Sequence, residues 1–553
     1  MKSVATFHMI KIGLAAAAIA LIVAFAIWDR RKLKSGRWVA GLVLAIVAFF
    51  SVVAYFDFGY YPKFGQFINP HDFFHYYLGS KYSREVGYLN LYPSVLVADA
   101  EENGGTPRHG GLRRMEDYNF EPAAKVMLRA AEYRALFSDA RWTEFKADIG
   151  YFREILGKKK RWAGVLGDKG YNATPVWNAV ARLLTSQVPP SDIPLLASLD
   201  LLLLAIMFIL IGLAFGWRTS LLAVVFFGSM FMMAYTHIRG AFLRLDWVTL
   251  LVMSTCMLKM KRYKTAGALM AYSGMARIFP LIFGFGMGAK FFWDILRTRR
   301  LDRRYLAYFV SFGVTCVVLV LFVIVSDRGV AHWHDFFTKI GLHDRDLSPM
   351  RVGFRYVFLM SYKNAYGSWT AFEAAKLKVL ADYKLLWWAI QAAVALVALF
   401  AARKLDDYET IPFGYVLAFF LTAPTFYYQV MIIVLLMLYL PKIEQAPRAI
   451  GASLLFAVSI IAFLLNREWK LQLELSFWLS CMLMAVVLYT LGFTLALSWP
   501  ASISELLGPS GFSLKRVPDD TSTPSPSEEP SAPRHDTPKP HKRPTKKKGK
   551  KRR

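Results

Sequence analysis

Residues 266–292 read AGALMAYSGMARIFPLIFGFGMGAKFF, an apolar run of 27 residues with Arg277 and Pro280 near its middle. Crossed once, it would separate Lys259-Met260-Lys261-Arg262 from the cluster Arg297, Arg299, Arg300, Arg303 and Arg304, leaving one of the two outside. The positive-inside rule wants both in the cytoplasm. Proline has no N–H to donate and disfavours helix in the residue before it. The run is therefore expected to break at Arg277-Ile278-Phe279-Pro280 into two half-helices that go up and return, with Arg277 at the tip.

Outward from that run the chain keeps the same character. Of its 553 residues 56% are hydrophobic, and apolar runs recur at about 12–28, 38–56, 194–215, 220–235, 245–258, 305–325, 385–401, 411–424, 426–440, 450–465 and 475–499. Such runs define an all-α polytopic membrane protein, because an open sheet edge cannot be satisfied in lipid. With the broken run counted as two, the expectation is a bundle of about 12–13 transmembrane or re-entrant helices. The run Ile12 to Trp28 ends in Asp29-Arg30-Arg31-Lys32 without a small-residue cleavage site, so it is read as a span and not as a signal peptide.

The balance of 67 Lys+Arg against 39 Asp+Glu gives +28. Most of the excess lies in short loops and the tail, which topology explains better than nucleic acid does, and no nucleic-acid partner is expected. Five cations between Arg30 and Arg37 put the first short loop in the cytoplasm. Alternation then places the N-terminus outside and the C-terminus inside, as in a multi-pass protein of the plasma (inner) membrane. The organisation reads as two N-terminal helices (1–56), an extracytoplasmic subdomain lying on the membrane (57–193), helices containing the re-entrant break (194–325), a second outer loop (326–384), C-terminal helices (385–499) and a disordered basic tail (509–553). The basic end of the tail suits anionic lipid.

No Gly-rich phosphate loop, HExxH helix or nucleophile elbow occurs, which leaves nucleotide and triad hydrolysis without a foothold. Cys256, Cys316 and Cys481 each lie in an apolar run and form no CxxC pair, so neither a disulfide framework nor a thiolate metal site is indicated. The candidates are acids, histidines and arginines on the outer side. Asn69 to Tyr82 gathers His71, Asp72, His75, Tyr76 and Tyr77 just beyond the second span, and Asp57, Asp168, His237, Arg239, Arg244 and Asp246 follow. His332 and His334 stand two apart beside Asp335, but no further ligand is spaced to complete a zinc site. Asp344-Arg345-Asp346 reads as a solvated loop. Arg277 costs on the order of 3 kcal/mol to insert mid-run. It is expected to face an anion, phosphate being the sharpest possibility, to pair with an acid such as Asp246, or to snorkel to the interface.

These residues fall into a pattern. Arg239 to Asp246, followed by Lys264 to Leu281, resembles a segment of GT-C glycosyltransferases related to the polyprenyl-phosphate-mannose-dependent α-mannosyltransferases (glycosyltransferase family 87 type). There a helix rich in small residues ends in Lys-x-x-Pro or Lys-x-Tyr-Pro, and Arg277 stands at the Lys place. Asp72 to Tyr76 is similar to the Asp-x-x-x-Tyr start of that family's first outer loop, and Tyr171 to Leu184 to the stretch that closes it. Thr422-Ala423-Pro424-Thr425-Phe426-Tyr427-Tyr428 resembles its late Ser-Pro-x-x-Trp-x-His turn, with the Trp and the His missing. The likeness spans roughly residues 38–440. The first loop is longer than the family's, and Ile12 to Trp28 precedes its usual first span.

The resemblance implies a GT-C-like bundle and an inverting hexosyltransferase. It would move a mannose-like sugar from a polyprenyl-phosphate donor to a lipid- or glycan-linked acceptor on the extracytoplasmic face, with no cofactor and no metal. Such chemistry asks for a base at the acceptor hydroxyl and for permanent cations at the leaving phosphate. Asp72 is expected as the base with His332 and His334 assisting, Arg277, Arg239 and Arg244 at the donor phosphate, and His71, His75, Tyr76 and Tyr77 at the sugar or acceptor. The alternative is a transporter or flippase of a lipid-linked glycan, with an envelope assembly protein third. The two long outer loops favour the enzyme.

Overall fold

The computed structural model describes residues 4–32, 36–234, 238–345, 348, 350–359, 369–469 and 473–499. His237, Asp346 and the tail 509–553 lie outside them. Among the described residues the one sheet is a two-stranded antiparallel hairpin, Gly111–Arg113 with Phe120–Pro122, and the rest of the regular structure is helix. Among the described residues eight helices are long and apolar enough to cross a membrane: Val4–Arg30, Arg37–Tyr55, Pro190–Phe215, Phe279–Thr298, Arg303–Ser326, Lys384–Lys404, Ala446–Glu468 and Leu473–Ser498. The protein is an all-α polytopic membrane protein.

The other apolar runs form shorter pieces. Trp217–Ser229, Asp246–Lys259 and Tyr263–Arg277 have 13 to 15 residues, and Phe426–Leu435 is a 3-10 stretch. At 1.5 Å per residue such helices are about 20 Å long, short of a hydrocarbon core of about 30 Å. They are enclosed by their neighbours: Trp247, Leu251, Cys256 and the whole stretch Val430 to Leu440 are buried. Irregular backbone at membrane depth is tolerated where protein surrounds it.

The opening run breaks at the proline. Helix Tyr263–Arg277 ends at Ile278, whose φ of 62° is one that a β-branched residue rarely adopts, and a 3-10 turn Phe279–Gly284 leads into Phe285–Thr298. The return is visible at the far end. The Tyr263 hydroxyl from the first half and Lys290 Nζ from the second (2.6 Å) both reach Asp407, joined by the Tyr305 hydroxyl at 2.9 Å. Lys259, Arg297, Arg304 and Arg403 line a cavity of about 470 Å³ there. Asp29 pairs with Arg218 at 2.6 Å, Lys442 with Asp406 and Glu409 at 2.9 Å each, and Arg30 shares a cavity with Glu444. The short basic loops thus gather at one end of the bundle.

At the other end residues 57–193 fold as a helical subdomain whose core includes Phe74, Tyr92, Val95, Phe145, Phe152 and Trp162. Within it Lys81 Nζ lies 2.7 Å from Asp148 and 2.8 Å from Glu144. The subdomain's helices include Ala123–Met127, Ala130–Arg134 and the longer Asp139–Leu156. Thr174 fastens the subdomain to the bundle. It caps helix Pro175–Thr185 by accepting from Trp177 N–H at 3.2 Å and donates to the Met275 carbonyl at 2.7 Å. That bond and the Arg277 side chain, which donates to the Ala276 carbonyl at 2.9 Å, satisfy carbonyls left open where the half-helix ends. The stretch after helix Arg303–Ser326 is held to the bundle by Val352 N–H to Pro424 O (2.9 Å) and Phe426 N–H to Met350 O (2.8 Å).

Candidate functional site

Asn69 and Pro70 start the helix that carries the site. The Asn69 side chain accepts from Asp72 N–H at 3.3 Å and Pro70 occupies the first turn, so helix Pro70–Lys81 begins with its two most suitable residues in order. Asn69 N–H donates to Gly240 O at 2.7 Å. Gly240 has a φ of 59°, and a Cβ there would lie 2.0 Å from the Phe67 carbonyl oxygen, so only glycine lets the 238–245 loop approach this closely.

That approach delivers Arg244. Its Nε lies 3.3 Å from Asp72 Oδ1, its guanidinium sits 4.1 Å over the Tyr76 ring, and its Nη2 donates to the Tyr428 hydroxyl at 3.3 Å. Asp200, the one acid in the apolar run 194–215, accepts from the backbone N–H groups of Arg244 (2.9 Å) and Leu245 (3.2 Å). Arg277 closes the other side: its Nη2 donates to the Leu243 carbonyl at 3.2 Å, and its guanidinium lies 5.3 Å over Trp177, whose Nε1 donates to the same carbonyl at 2.8 Å. Asp246, the alternative partner for Arg277, accepts from the Tyr272 hydroxyl at 3.1 Å.

Two signs mark this cluster as more than a brace. Leu243 (φ 45°) and Ile278 (φ 62°), each adjacent to one of the two arginines, hold backbone conformations that cost roughly 1–3 kcal/mol apiece and tend to gather at working sites. Asp72, Arg244 and Arg277 are all at least nine-tenths buried, yet Asp72 Oδ2, Arg244 Nη1 and Arg277 Nε find no hydrogen-bond partner among the described residues. Burial lifts the Asp72 carboxyl above its ordinary range, and the attraction of Arg244, His71 and Arg277 does not cancel that lift. The arrangement offers a desolvated carboxylate, two guanidinium groups and aromatic walls from Tyr76, Trp177 and Tyr428.

The remaining candidates separate. His71 and His75 turn away from Arg244 toward Asp168: His71 Nε2 lies 3.0 Å and His75 Nε2 3.4 Å from Asp168 Oδ2, and the Tyr92 hydroxyl meets His75 Nδ1 at 3.1 Å. Burial pushes the His75 imidazole down to about 4. Tyr77 donates to Val188 O at 2.7 Å and packs on Phe152, inside the subdomain. Arg239 is engaged elsewhere, with Asp57 at 2.5 Å and the Ala234 carbonyl at 3.2 Å, while Lys11 takes the other Asp57 oxygen at 2.8 Å. His332 is buried against Tyr88 at 4.6 Å, 3.6 Å from Asp327, whereas His334 is 82% exposed beside Asp335. Among the described residues no hydrogen bond or ion pair joins either histidine to Asp72.

Sequence reasoning misses Asp200, the stacking of Trp177 on Arg277 and the role of Asp168. A lone acid at position 200 within an apolar run is signal enough to find the first, since intramembrane carboxylates seldom lack a task. Compared with known proteins, the chain matches no family model, no curated protein and no solved structure. Fold and site together define a polytopic membrane protein with a buried acid–arginine cluster where the 57–193 subdomain meets the bundle.

Proposed function

We propose that the protein is an integral-membrane glycosyltransferase that takes a hexose, mannose-like by its resemblance, from a polyprenyl-phosphate donor and gives it to a lipid- or glycan-linked acceptor on the extracytoplasmic face. The observation that carries this reading is the meeting of Asp72 with Arg244 and Arg277 in one buried cluster that keeps open polar valences. Asp72 accepts the proton of the acceptor hydroxyl. The acceptor oxygen then forms its bond to the anomeric carbon as the bond from that carbon to the phosphate oxygen breaks, and the polyprenyl phosphate leaves with the electron pair. Attack from the side opposite the leaving group inverts the anomeric centre. Arg277 and Arg244 offset the charge that grows on the phosphate, where fixed donors in a water-poor site act most strongly. Tyr76, Trp177 and Tyr428 supply flat apolar faces for a sugar ring.

In this reading the end bearing the basic loops faces the cytoplasm of a plasma (inner) membrane, by the positive-inside rule. The test is to incubate purified protein with a radiolabelled polyprenyl-phosphate mannose and a membrane lipid extract. Label in a new glycolipid or glycan supports transfer. Label that only changes leaflet in sealed vesicles, with the donor intact, supports the flippase reading instead.

A further inference from the structure

Beside the acid–arginine cluster, on the adjoining face of the same helix, lies a second set of groups that glycosyl transfer does not use. His71 and His75 stand four apart on helix Pro70–Lys81, so both imidazoles project from one face. Asp168 reaches them from the turn before Gly170, whose φ of 76° and tight packing against Met115 fix the course of the chain there. One ring nitrogen of each imidazole and one Asp168 oxygen all lie within 4.8 Å of one another.

We infer that His71, His75 and Asp168 form a binding site for a divalent transition-metal ion of the zinc type. A tetrahedral zinc with bonds of about 2.0–2.1 Å holds its ligand atoms about 3.3 Å apart. The separations of 3.0 Å and 3.4 Å from Asp168 Oδ2 to the two imidazoles already match that spacing. Two imidazoles and a carboxylate are the donor types zinc takes where one position stays open.

Three further observations favour a ligand over a simple hydrogen-bonded cluster. His75 is 3% exposed, and its Nε2, 3.4 Å from Asp168 Oδ2, finds no hydrogen-bond partner among the described residues. Its Nδ1 is taken up by the Tyr92 hydroxyl at 3.1 Å, the outer partner that fixes ring orientation in metal-bound histidines. The second Asp168 oxygen accepts from Lys169 N–H at 2.7 Å, which holds the carboxylate in place. His71 and Asp168 have side chains 31% and 47% exposed, so an ion can enter from solvent and keep a water or a ligand oxygen in its fourth position. The ion would tie the turn at 168 to the helix that carries Asp72. This inference is independent of the sugar-transfer reading.

The experiment uses the full chain in detergent, stripped with a chelator and dialysed. Zinc binding is followed by calorimetry and by elemental analysis after gel filtration, and Co²⁺ in its place reports geometry through its visible absorption. Wild type should bind one Zn²⁺ per chain, give a tetrahedral Co²⁺ spectrum and melt at a higher temperature with zinc. His71→Gln and Asp168→Asn, both at accessible positions, should bind at least about a hundredfold more weakly while melting like the metal-free wild type. Tyr92→Phe, which keeps the buried ring and removes only the hydroxyl at a ligand's outer nitrogen, should weaken binding by about tenfold. Stoichiometric zinc retained with unchanged affinity in both ligand variants, or no stoichiometric zinc in wild type, would overturn the assignment. Sugar transfer does not enter any of these readouts.

Discussion

Asp72 and Arg244 meet 3.3 Å apart in a buried contact that leaves one oxygen of the acid and one terminal nitrogen of the guanidinium without hydrogen bonds. A purely structural buried pair repays its desolvation only when its geometry is excellent and the remaining valences are filled. This pair is neither bidentate nor filled. The structure spends two strained backbone positions, Leu243 and Ile278, to present it beside Arg277. A ligand that brings both anionic oxygens and hydroxyl groups satisfies what the protein leaves open.

The arginines make the first distinction. If Arg277 holds the donor phosphate, Arg277→Ala should weaken donor binding by roughly ten- to a hundredfold, the scale of one charge-assisted hydrogen bond, and Arg277→Lys should keep part of it. Arg239, spent on Asp57, should behave oppositely. Arg239→Ala leaves a buried part of the Lys11–Asp57 network short of a partner, a change typically worth about 3–5 kcal/mol, yet donor affinity of the folded fraction should stay the same. Titration with a donor analogue, alongside thermal melts, separates the two outcomes.

Topology gives the second. With the half-helices meeting near Pro280, a cysteine placed by Arg300→Cys should resist an impermeant thiol reagent in intact cells and react after lysis. His334→Cys, at an exposed position of the other outer loop, should react in intact cells. Labelling of the first from outside would mean that the run crosses once.

The third concerns Lys339, buried on helix Val330–Arg345 with its Nζ donating to Tyr88 O at 3.1 Å. Burial pulls its pKa down to about 7, against the opposing attraction of Glu116 and Asp168. Between about pH 7 and the ordinary lysine value near 10.4 the unfolded chain binds a proton that the folded chain has released, so stability should rise with pH across that window. Lys339→Met should abolish this rise. The difference between wild-type and variant melting temperatures from pH 7 to 10 isolates the group, because every other titration is common to both.

Parts of this arrangement are legible in the sequence itself. The break at Pro280 follows from local chemistry, a missing N–H and a clash with the preceding residue, and a mismatch of basic loops points the same way. Asp72 and Arg277 stand out as charge beside or within apolar runs. What local reasoning cannot do is rank alike residues. Arg239 and Arg244 stand in the same short loop, and only the fold shows that the first is taken by Asp57 while the second reaches Asp72. His332 and His334 read alike as well, yet one is buried on Tyr88 and the other faces solvent. Asp168 finds His71 and His75 through the closure of a loop nearly a hundred residues long, a contact no spacing announces. The 12 to 13 expected elements resolve into eight long spans and several short buried ones because enclosed helices need not cross the full hydrocarbon thickness.

The most direct test of the central claim is Asp72→Asn, which keeps the side chain's shape and removes its ability to take a proton. Purified variant and wild type are compared for donor affinity and for turnover with a radiolabelled polyprenyl-phosphate sugar. If Asp72 is the base, the folded variant binds donor with unchanged affinity and loses turnover by about 10²–10⁴. Turnover within a few-fold of wild type in a folded, donor-binding variant would contradict the account and remove Asp72 from the chemistry.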